Sequence, residues 1–366
     1  MNREMSLLLC LLRAALLQIP PDTTLFVDVD EDLWKKTMNL AARHSVFALA
    51  FDGAMLLPKE VQPSRMLQLL WIVQVDKIEK KYAYKLSVLH QMEKLFAENN
   101  IKMLAFKGFS LAKCYPIPEH REFGDLDIYL FGKTKQGNQL LLENGAKQDS
   151  WYYKHICVIF KNVMIENHAF FLNIHDSKKA KAADKILRKI IADSDDVQIW
   201  DEFPIEFQAL FYMFHAIHHF SYDVFSLRLI TDLAAFWKTN IDKIDIENYR
   251  QTLKSVGLLK QADALTSLTV NLLQIDTKYV PPFEIDRQFE EKILYYMFHH
   301  YIPPENDKRG ISALKVEWDR IFYRAKSYEL IYSQKTYKLF ILSIISNLKN
   351  ISFFRFCLKF IQKFHY

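Results

Sequence analysis

The hydrophobic positions in the N-terminal part of the chain recur with the period of an α-helix. Over residues 65–98 they return every three or four positions, which places them on one face of a long helix. The members of this apolar stripe are Leu67, Leu70, Trp71, Val75, Ile78, Tyr82, Leu86, Leu89 and Met92. The mixed charge run at 77–81 is interpreted as part of the solvated face of the same helix. The same period predicts two earlier helices, at 5–17 and 32–51.

The period of the pattern changes between residues 99 and 170. Short apolar runs replace the helical repeat and predict β-strands at 101–106, 125–130, 155–160 and 163–170. The pair Lys161-Asn162 supplies a tight turn between the last two strands. Short helices are predicted at 110–115 and 135–144. This order of strands and helices predicts a small mixed sheet with helices packed on it.

The rest of the chain returns to helical spacing. Helices are predicted at 204–219, 225–237, 245–256, 260–273 and 289–298. We therefore expect an α+β fold that is rich in helices, with a small mixed β-sheet flanked by N- and C-terminal helical regions. The predicted division is an N-terminal helical region at 1–95, an α/β core at 96–178 and a C-terminal helical domain at 179–366.

The composition agrees with a helix-rich globular chain. Only 8 of the 366 residues are glycine, which is few for a chain of tight turns. The formal net charge of +5 suits an anionic ligand such as a nucleotide, but it is too small for a dedicated nucleic-acid surface. The 4 cysteines are scattered without a C-x-x-C pair, which predicts a reduced, cytoplasmic protein that is not a zinc protein.

The sequence predicts no transmembrane helix. No uninterrupted apolar run reaches the roughly 18 residues that such a helix needs. The segment 336–366 is basic, aromatic and free of acidic residues. We expect its apolar side chains to pack against the helical domain, with peripheral contact to an anionic membrane or grip on a nucleic acid as the alternatives.

Two aspartates lead directly into the strand predicted at 125–130. Asp125 and Asp127 are two residues apart, so their side chains point to the same face of the strand. Carboxylates held side by side repel each other, and a hard divalent cation between them removes that repulsion. A pair of this kind also occurs on many solvated strand ends, so its meaning depends on the groups that the chain places nearby.

Glu166 is the candidate for a third carboxylate. If the strand at 163–170 lies beside the strand at 125–130, Glu166 comes within reach of the two aspartates. Three carboxylates can hold two Mg²⁺ ions, or Mn²⁺ in their place, against a triphosphate. The alternative interpretation is an exposed glutamate on an edge strand.

The segment after the first strand offers groups that suit a phosphate. Gly108 stands between a strand and a helix, where backbone amides can approach an anion. Lys107 adds a positive charge, and Ser110 adds a hydroxyl donor. The plainer interpretation of Gly108 is an ordinary turn.

Two arginines have alternative interpretations. Arg121 could hold phosphate oxygens through two parallel hydrogen bonds, or it could form a surface salt bridge with Glu119 or Glu122. Arg228 and Asp232 are one helical turn apart and are interpreted as a structural salt bridge. The sharper alternative is that one of these two side chains faces the active-site cleft.

Histidines supply candidates for lining a substrate pocket near the carboxylates. His168 shares a strand face with Glu166, and His215 lies on the helix predicted at 204–219. His215 and His219 are one helical turn apart and could instead bind a metal ion, or they could be packed or surface residues.

Four sequence blocks follow one another in an order and at spacings that resemble a known family. They are the residues 103–110, the pair Tyr115-Pro116, the residues 121–127 and the residues 165–168. Their letters are MLAFKGFS, YP, R-x-x-GDLD and IE-x-H. Together they resemble the uncharacterised nucleotidyltransferase family of bacteria, within the DNA polymerase beta-like nucleotidyltransferase superfamily. The resemblance extends over residues 5–275, including a Trp34-containing helix and the segment 227–234.

The resemblance implies an enzyme that moves a nucleoside monophosphate from a nucleoside triphosphate to a hydroxyl acceptor, with Mg²⁺ as cofactor. The acceptor could be a small molecule, an RNA or a protein. The implied metal ligands are Asp125, Asp127 and Glu166, and the implied phosphate loop contains Gly108 and Ser110. Under this reading, Asp127→Ala should abolish transfer with little change in thermal stability.

One departure from the family pattern supports an alternative. Better-known members of the superfamily carry a Gly-Ser or Gly-Gly pair in the phosphate loop, whereas Phe109 separates Gly108 from Ser110 here. The alternative is a nucleotide-binding or scaffolding protein that has the fold but not the catalysis.

Overall fold

The computed structural model describes residues 2–175, 177–192, 203–222 and 226–299. The helices are α1 (Arg3–Leu17), α2 (Glu31–Arg43), α3 (Phe47–Met55), α4 (Arg65–Glu98), α5 (Phe109–Ala112), α6 (Thr134–Glu143), α7 (Lys178–Ala192), α8 (Ile205–Tyr222), α9 (Leu227–Asn240), α10 (Ile246–Ser255), α11 (Leu259–Leu273) and α12 (Arg287–His299). The strands are β1 (Leu104–Ala105), β2 (Asp125–Tyr129), β3 (Lys147–Trp151), β4 (His155–Phe160) and β5 (Val163–His168). The expected α+β class, rich in helices with one small mixed sheet, is confirmed.

The five strands form one sheet in the order β1-β2-β5-β4-β3. β2 and β5 run parallel, and the other neighbouring pairs are antiparallel. The turn between β4 and β5 has φ values of 49° at Lys161 and 59° at Asn162. Two successive residues with positive φ match the twist of a two-residue hairpin, so this turn sets the register of β4 against β5.

One face of the sheet is apolar and the other carries the polar side chains. The apolar face packs with the C-terminal half of α4 and with α6 in a single buried cluster. Its strand members are Ala105, Leu126, Ile128, Val158, Phe160, Val163 and Ile165. Because strand side chains alternate, Asp125 and Asp127 in β2 and Glu166 in β5 point to the opposite face. Burial of the apolar face therefore fixes which way the acidic side chains point.

The structure departs from the sequence-based predictions at three places. The segment 32–51 is not one helix, because α2 ends at Arg43 and α3 begins at Phe47. Ser45 adopts a φ of 53° between them, a left-handed conformation that an α-helix cannot contain. The edge strand β3 was not predicted, since Lys147–Trp151 is mostly polar and exposed and lacks an apolar alternation. The strand predicted at 101–106 is ordered as a strand only at Leu104–Ala105.

The chain divides into two compact units, Met1–His215 with Ser226–Glu290, and Ala216–Phe225 with Glu291–Tyr366. The site below lies in the first unit. Of the second unit the structure describes the helical residues 216–222 and 291–299. The predicted boundaries at 95 and 178 stay predictions, and the segment 336–366 lies outside the described residues. Among the helices that are described, none is long and apolar enough to cross a membrane.

Candidate functional site

Three carboxylates converge on the polar face of the sheet. β2 and β5 are neighbours in parallel register, with Asp127 opposite Glu166, and Asp125 stands one pleat earlier on the same face. One oxygen from each of Asp125, Asp127 and Glu166 lies within 4.8 Å of the other two. We call these three residues the carboxylate cluster. Such close negative charges are stabilised by a hard divalent cation with oxygen ligands.

Asp127 is the buried member of the carboxylate cluster. The residue is 5% exposed, with Lys107 Nζ 2.8 Å from its Oδ2 and His168 Nε2 3.0 Å from its Oδ1. Burial alone raises the pKa of Asp127, but the charges and hydrogen bonds of Lys107 and His168 lower it by more, so the net shift is downward. Asp127 is therefore held as a carboxylate, ready to meet a cation. The sequence placed Lys107 against a phosphate, whereas here its ammonium group contacts Asp127.

His168 holds two members of the carboxylate cluster. Its Nε2 lies 3.0 Å from Asp127 Oδ1 and 3.2 Å from Glu166 Oε2, and its Nδ1 lies 3.1 Å from the carbonyl oxygen of Phe170. Burial lowers the pKa of His168, but hydrogen bonds to Asp127 and Glu166 raise it by more. The side chain is 2% exposed, so His168 orients the carboxylates instead of lining an open acceptor pocket.

His215 lies on α8 and stacks on Phe211 at a ring-centroid distance of 5.6 Å. Phe211 packs edge-on against Phe106 at 5.0 Å, and Phe106 packs edge-on against His168 at 5.1 Å. Two aromatic rings therefore connect His215 to the buried side of the carboxylate cluster. A role for His215 toward an acceptor stays a prediction.

His155 is a member of the site that sequence reasoning missed. Its Nδ1 lies 3.1 Å from Glu166 Oε2, and burial with the nearby charge of His168 lowers the pKa of His155 to about 4. The signal was present in the sequence: the two-residue turn at 161–162 places His155 opposite His168. Glu166 itself has a lowered pKa, because His168 and His155 outweigh the effect of burial and of the charge of Asp127.

The predicted phosphate loop is a tight turn whose polar groups bind within the protein. Gly108 has φ 59° and ψ −99°, and a side chain there would meet the ring of Phe123 at 3.1 Å. The Ser110 hydroxyl is buried and lies 2.8 Å from the hydroxyl of Tyr212. The backbone turn expected after the first strand is present, but Ser110 does not face an open phosphate position.

Arg121 has a different role from both predicted ones. Its Nε and Nη2 donate to the two oxygens of Asp232 at 2.7 and 2.9 Å, and its Nη1 donates to the Gly108 carbonyl at 3.1 Å. Tyr115 donates to Asp232 Oδ1 at 2.6 Å. We call Arg121, Asp232, Tyr115 and the Gly108 carbonyl the arginine network. Arg121 is 3% exposed, so the expected surface salt bridge with a neighbouring glutamate is wrong, and the guanidinium is committed to protein oxygens instead of phosphate.

The predicted intrahelical pair of Arg228 and Asp232 is also wrong. Asp232 belongs to the arginine network, and Arg228 Nη1 donates to the Glu122 carbonyl at 3.0 Å. Spacing along a helix identified two side chains that could meet, but each finds a partner from the loop between β1 and β2.

A basic cavity lies at the entry to β2. Its volume is about 120 Å³, and it is lined by Ile78, Lys81, Tyr82, Lys85, Glu119, Arg121, Glu122 and Phe123. Lys85 donates to the carbonyl oxygen of Phe123, two residues before Asp125. Burial lowers the pKa of Lys85 to about 8, although the charge of Asp125 opposes this shift. The charged residues of the run at 77–81 are exposed, as interpreted, whereas Lys85, one turn further along α4, is half-buried and close enough to Asp125 for its charge to act on the lysine.

Comparison with known proteins gives one match. A family model described as "Uncharacterised nucleotidyltransferase" matches residues 30–274, which is more than half of the 366 residues. No curated protein and no solved structure matches the chain. The matched range contains every residue of the carboxylate cluster and of the arginine network.

Proposed function

We propose, from the premise that the chain belongs to the uncharacterised nucleotidyltransferase family, that it is a divalent-metal-dependent enzyme acting on a nucleoside triphosphate. The proposed reaction transfers a nucleoside monophosphate to a hydroxyl group. The observation that carries the proposal is the convergence of Asp125, Asp127 and Glu166 within 4.8 Å on two neighbouring strands. The acceptor class, whether small molecule, RNA or protein, is left to experiment.

The donor set fits Mg²⁺, with two ions as the expectation and Mn²⁺ as the alternative. All three candidate ligands are carboxylates, which are the ligands that hard divalent ions prefer. Asp127 Oδ2 is buried and accepts no hydrogen bond among the described residues. It forms an ion pair with Lys107 Nζ at 2.8 Å. When bound, the metal supplies positive charge against the phosphate oxygens and the leaving pyrophosphate.

The other side chains of the site have separate roles in the proposed reaction. Lys107 and His168 fix Asp127 in place, so that its oxygens need no reorganisation when charge develops nearby. Glu166 and Asp125 are partly exposed and can accept the proton of the attacking hydroxyl, which a deeply paired Asp127 does poorly. The oxygen of that hydroxyl bonds to the α-phosphorus as the bond to pyrophosphate breaks. Lys81 and Lys85 offer positive charge for the outer phosphates at the basic cavity.

The test follows both products of transfer. The purified chain is incubated with Mg²⁺, each nucleoside triphosphate labelled at the α-phosphate, and separate acceptor fractions of small molecules, RNA and protein. We expect label on one fraction together with pyrophosphate release. Asp125→Asn should slow both by roughly a thousandfold, because several kcal/mol of charge stabilisation depend on the metal. The matched control is Asp149→Asn, an exposed acid on β3, and equal rates in the two variants would sink the proposal.

One observation favours the non-catalytic alternative as a second candidate. The side chains predicted to contact phosphate are engaged inside the protein, Ser110 with Tyr212 and Lys107 with Asp127. A nucleotide-binding protein without catalysis would bind a triphosphate with Mg²⁺ in a calorimeter and release no pyrophosphate on long incubation. Binding with slow release of pyrophosphate supports the enzyme instead.

A further inference from the structure

A second group of metal-ligand side chains shares Glu166 with the carboxylate cluster. His155 in β4 stands directly opposite His168 in β5, and Glu166 lies one pleat away on the same face. One candidate ligand atom from each of His155, Glu166 and His168 lies within 4.8 Å of the other two. This group contains two nitrogen donors, unlike the all-oxygen carboxylate cluster.

The contacts of His168 show which ring nitrogen carries a hydrogen and which one faces the carboxylates. The Phe170 carbonyl can only accept, so Nδ1 at 3.1 Å carries a hydrogen. Nε2 then faces Asp127 Oδ1 at 3.0 Å and Glu166 Oε2 at 3.2 Å, both of which also present lone pairs. That arrangement requires either a proton or a metal ion among the three atoms. Histidines that ligate metals typically donate their other N–H to a backbone carbonyl in this way.

His155 provides an independent observation. Its Nδ1 is buried and has no hydrogen-bond partner among the described residues, although Glu166 Oε2 is only 3.1 Å away. The two atoms are therefore close without the geometry of a hydrogen bond between them. A buried imidazole nitrogen in this condition costs free energy unless a ligand fills the position that it faces. The His155 side chain is 11% exposed, so solvent is a poor substitute for that ligand.

We propose that His155, Glu166 and His168 form a site for a first-row transition-metal ion, such as Zn²⁺, beside the carboxylate cluster. Imidazole nitrogens suit zinc and iron, whereas Mg²⁺ prefers carboxylate, carbonyl and water oxygens. Two histidines and one carboxylate leave coordination positions open for water or a substrate oxygen. The site is therefore selective by ligand type, and its neighbour on β2 remains suited to Mg²⁺. This inference concerns metal binding and does not depend on nucleotide transfer.

The test measures zinc bound to the whole chain in the absence of nucleotide. The protein is freed of any histidine tag and dialysed against micromolar Zn²⁺ with excess Mg²⁺, which occupies the carboxylate cluster. We expect about one zinc ion per chain, and His155→Gln should weaken this binding by at least about tenfold. The control is His90→Gln, a histidine on the exposed face of α4. Equal zinc affinity in the two variants overturns the proposal, as does displacement of the zinc by Mg²⁺.

A second measurement needs no variant. X-ray absorption of the zinc-loaded wild-type chain should show the scattering pattern of two imidazoles in the first coordination sphere, and a shell of oxygen atoms alone overturns the proposal. Because neither readout involves catalysis, a chain that binds zinc in this way but transfers no label refutes the proposed function and leaves this site standing. The reverse outcome, transfer without nitrogen-bound zinc, refutes the site alone.

Discussion

The carboxylate cluster, of which Asp127 is buried, and the buried arginine network are two groups of charges that meet at one loop, and their charges are balanced differently. In the arginine network a single acid, Asp232, faces a guanidinium that binds both of its oxygens, and Tyr115 adds a third hydrogen bond. In the carboxylate cluster ligand oxygens of three acids lie within 4.8 Å of one another, and the raised pKa values of Lys107 and His168 mark these two as the cations that contact them among the described residues. The two groups meet where Lys107 contacts Asp127 of the carboxylate cluster and the next residue, Gly108, gives its carbonyl to the arginine network.

The difference indicates a structural role for the arginine network and agrees with the metal-binding role proposed for the carboxylate cluster. A buried charge that is fully paired holds two segments together, and the arginine network joins α9 to the loop before β2. Closely spaced acids, with a buried imidazole nitrogen nearby that has no hydrogen-bond partner among the described residues, lower stability in the absence of a ligand. Such an arrangement is typical of sites that are completed by a ligand.

The largest loss of folding stability is expected from a substitution that breaks the arginine network. Arg121→Met leaves Asp232 buried without its partner, which should lower the free energy of unfolding by about 3–5 kcal/mol. Asp125→Asn, in the other group, removes one of several mutually repelling charges and should change it by less than about 0.5 kcal/mol. Denaturant titration followed by circular dichroism measures both values.

A double substitution checks the cause of that loss. Replacing Asp232 with leucine in the Arg121→Met protein removes the unpaired charge, so part of the lost stability should return. If Arg121→Met and Asp125→Asn destabilise equally, the two groups do not differ in the way described.

The carboxylate cluster could be predicted from the sequence better than the arginine network. Strand alternation and the resemblance of spaced motifs placed Asp125, Asp127 and Glu166 on one face, and β2 and β5 are indeed neighbours. Those relations depend on local periodicity and register, which a sequence carries. Arg121 and Asp232 are 111 positions apart, and their meeting depends on how α9 packs, which no local pattern encodes.

Histidines illustrate the same limit within one residue type. His155 could have been found from the hairpin register, because the turn at Lys161 and Asn162 fixes its partner. His44 could not, because its role depends on a helix from a distant part of the chain. Its Nδ1 accepts a hydrogen bond from the backbone N–H of Leu227, the first residue of α9, at 3.2 Å.

The second prediction uses His44 to weaken the helix that carries Asp232. Burial, with a smaller effect of Arg43, lowers the pKa of His44 to about 4 from 6.5. Below pH 6.5 the unfolded chain takes up a proton that the folded chain does not, so the free energy of unfolding falls as the pH decreases. The loss should reach about 3 kcal/mol near pH 4 and be absent above pH 6.5.

The measurement compares the wild type with His44→Gln, whose amide oxygen can still accept from Leu227 and does not titrate. Taking the difference between the two proteins at each pH cancels the contribution of every other group, including His155. A difference that stays constant between pH 7 and pH 4 would contradict the assignment of His44 as a neutral cap of α9.

The third prediction concerns the ion pair between Asp127 of the carboxylate cluster and Lys107. Asp127 was expected to tolerate replacement without loss of stability, but Lys107 Nζ lies 2.8 Å from it and both are buried. Burial lowers the pKa of Lys107, but Asp125 and Asp127 raise it by more, so Lys107 is charged and needs its partner. Asp127→Asn should therefore destabilise the protein as well as remove activity.

The size of this pairing is measured by a double-mutant cycle of Asp127→Asn and Lys107→Met. We expect a coupling free energy of about 1–3 kcal/mol, smaller than the loss from Arg121→Met because the other acids of the cluster keep some of the field on Lys107. A coupling near zero would mean that the remaining carboxylates satisfy Lys107 completely. Asp125→Asn is thus the cleaner test of metal binding.

The smallest expected effect lies at Gly108, where the two groups meet. Its φ of 59° with ψ −99° is unfavourable for a residue with a side chain, and a Cβ would stand 3.1 Å from the Phe123 ring. Gly108→Ala should lower the free energy of unfolding by about 1–2 kcal/mol, with Gly132→Ala as a control that also has a positive φ but has open space around it.

The same substitution tests whether the loop positions the carboxylates. Phe123 is two residues before Asp125, so a Cβ at Gly108 would displace the start of β2 as well as the carbonyl that Arg121 holds. If the loop fixes the position of the carboxylates relative to the arginine network, Gly108→Ala should lower label transfer by more than Gly132→Ala does, measured at a temperature where both variants are fully folded. Equal transfer in the two variants would mean that the arginine network supports the fold without positioning the carboxylates.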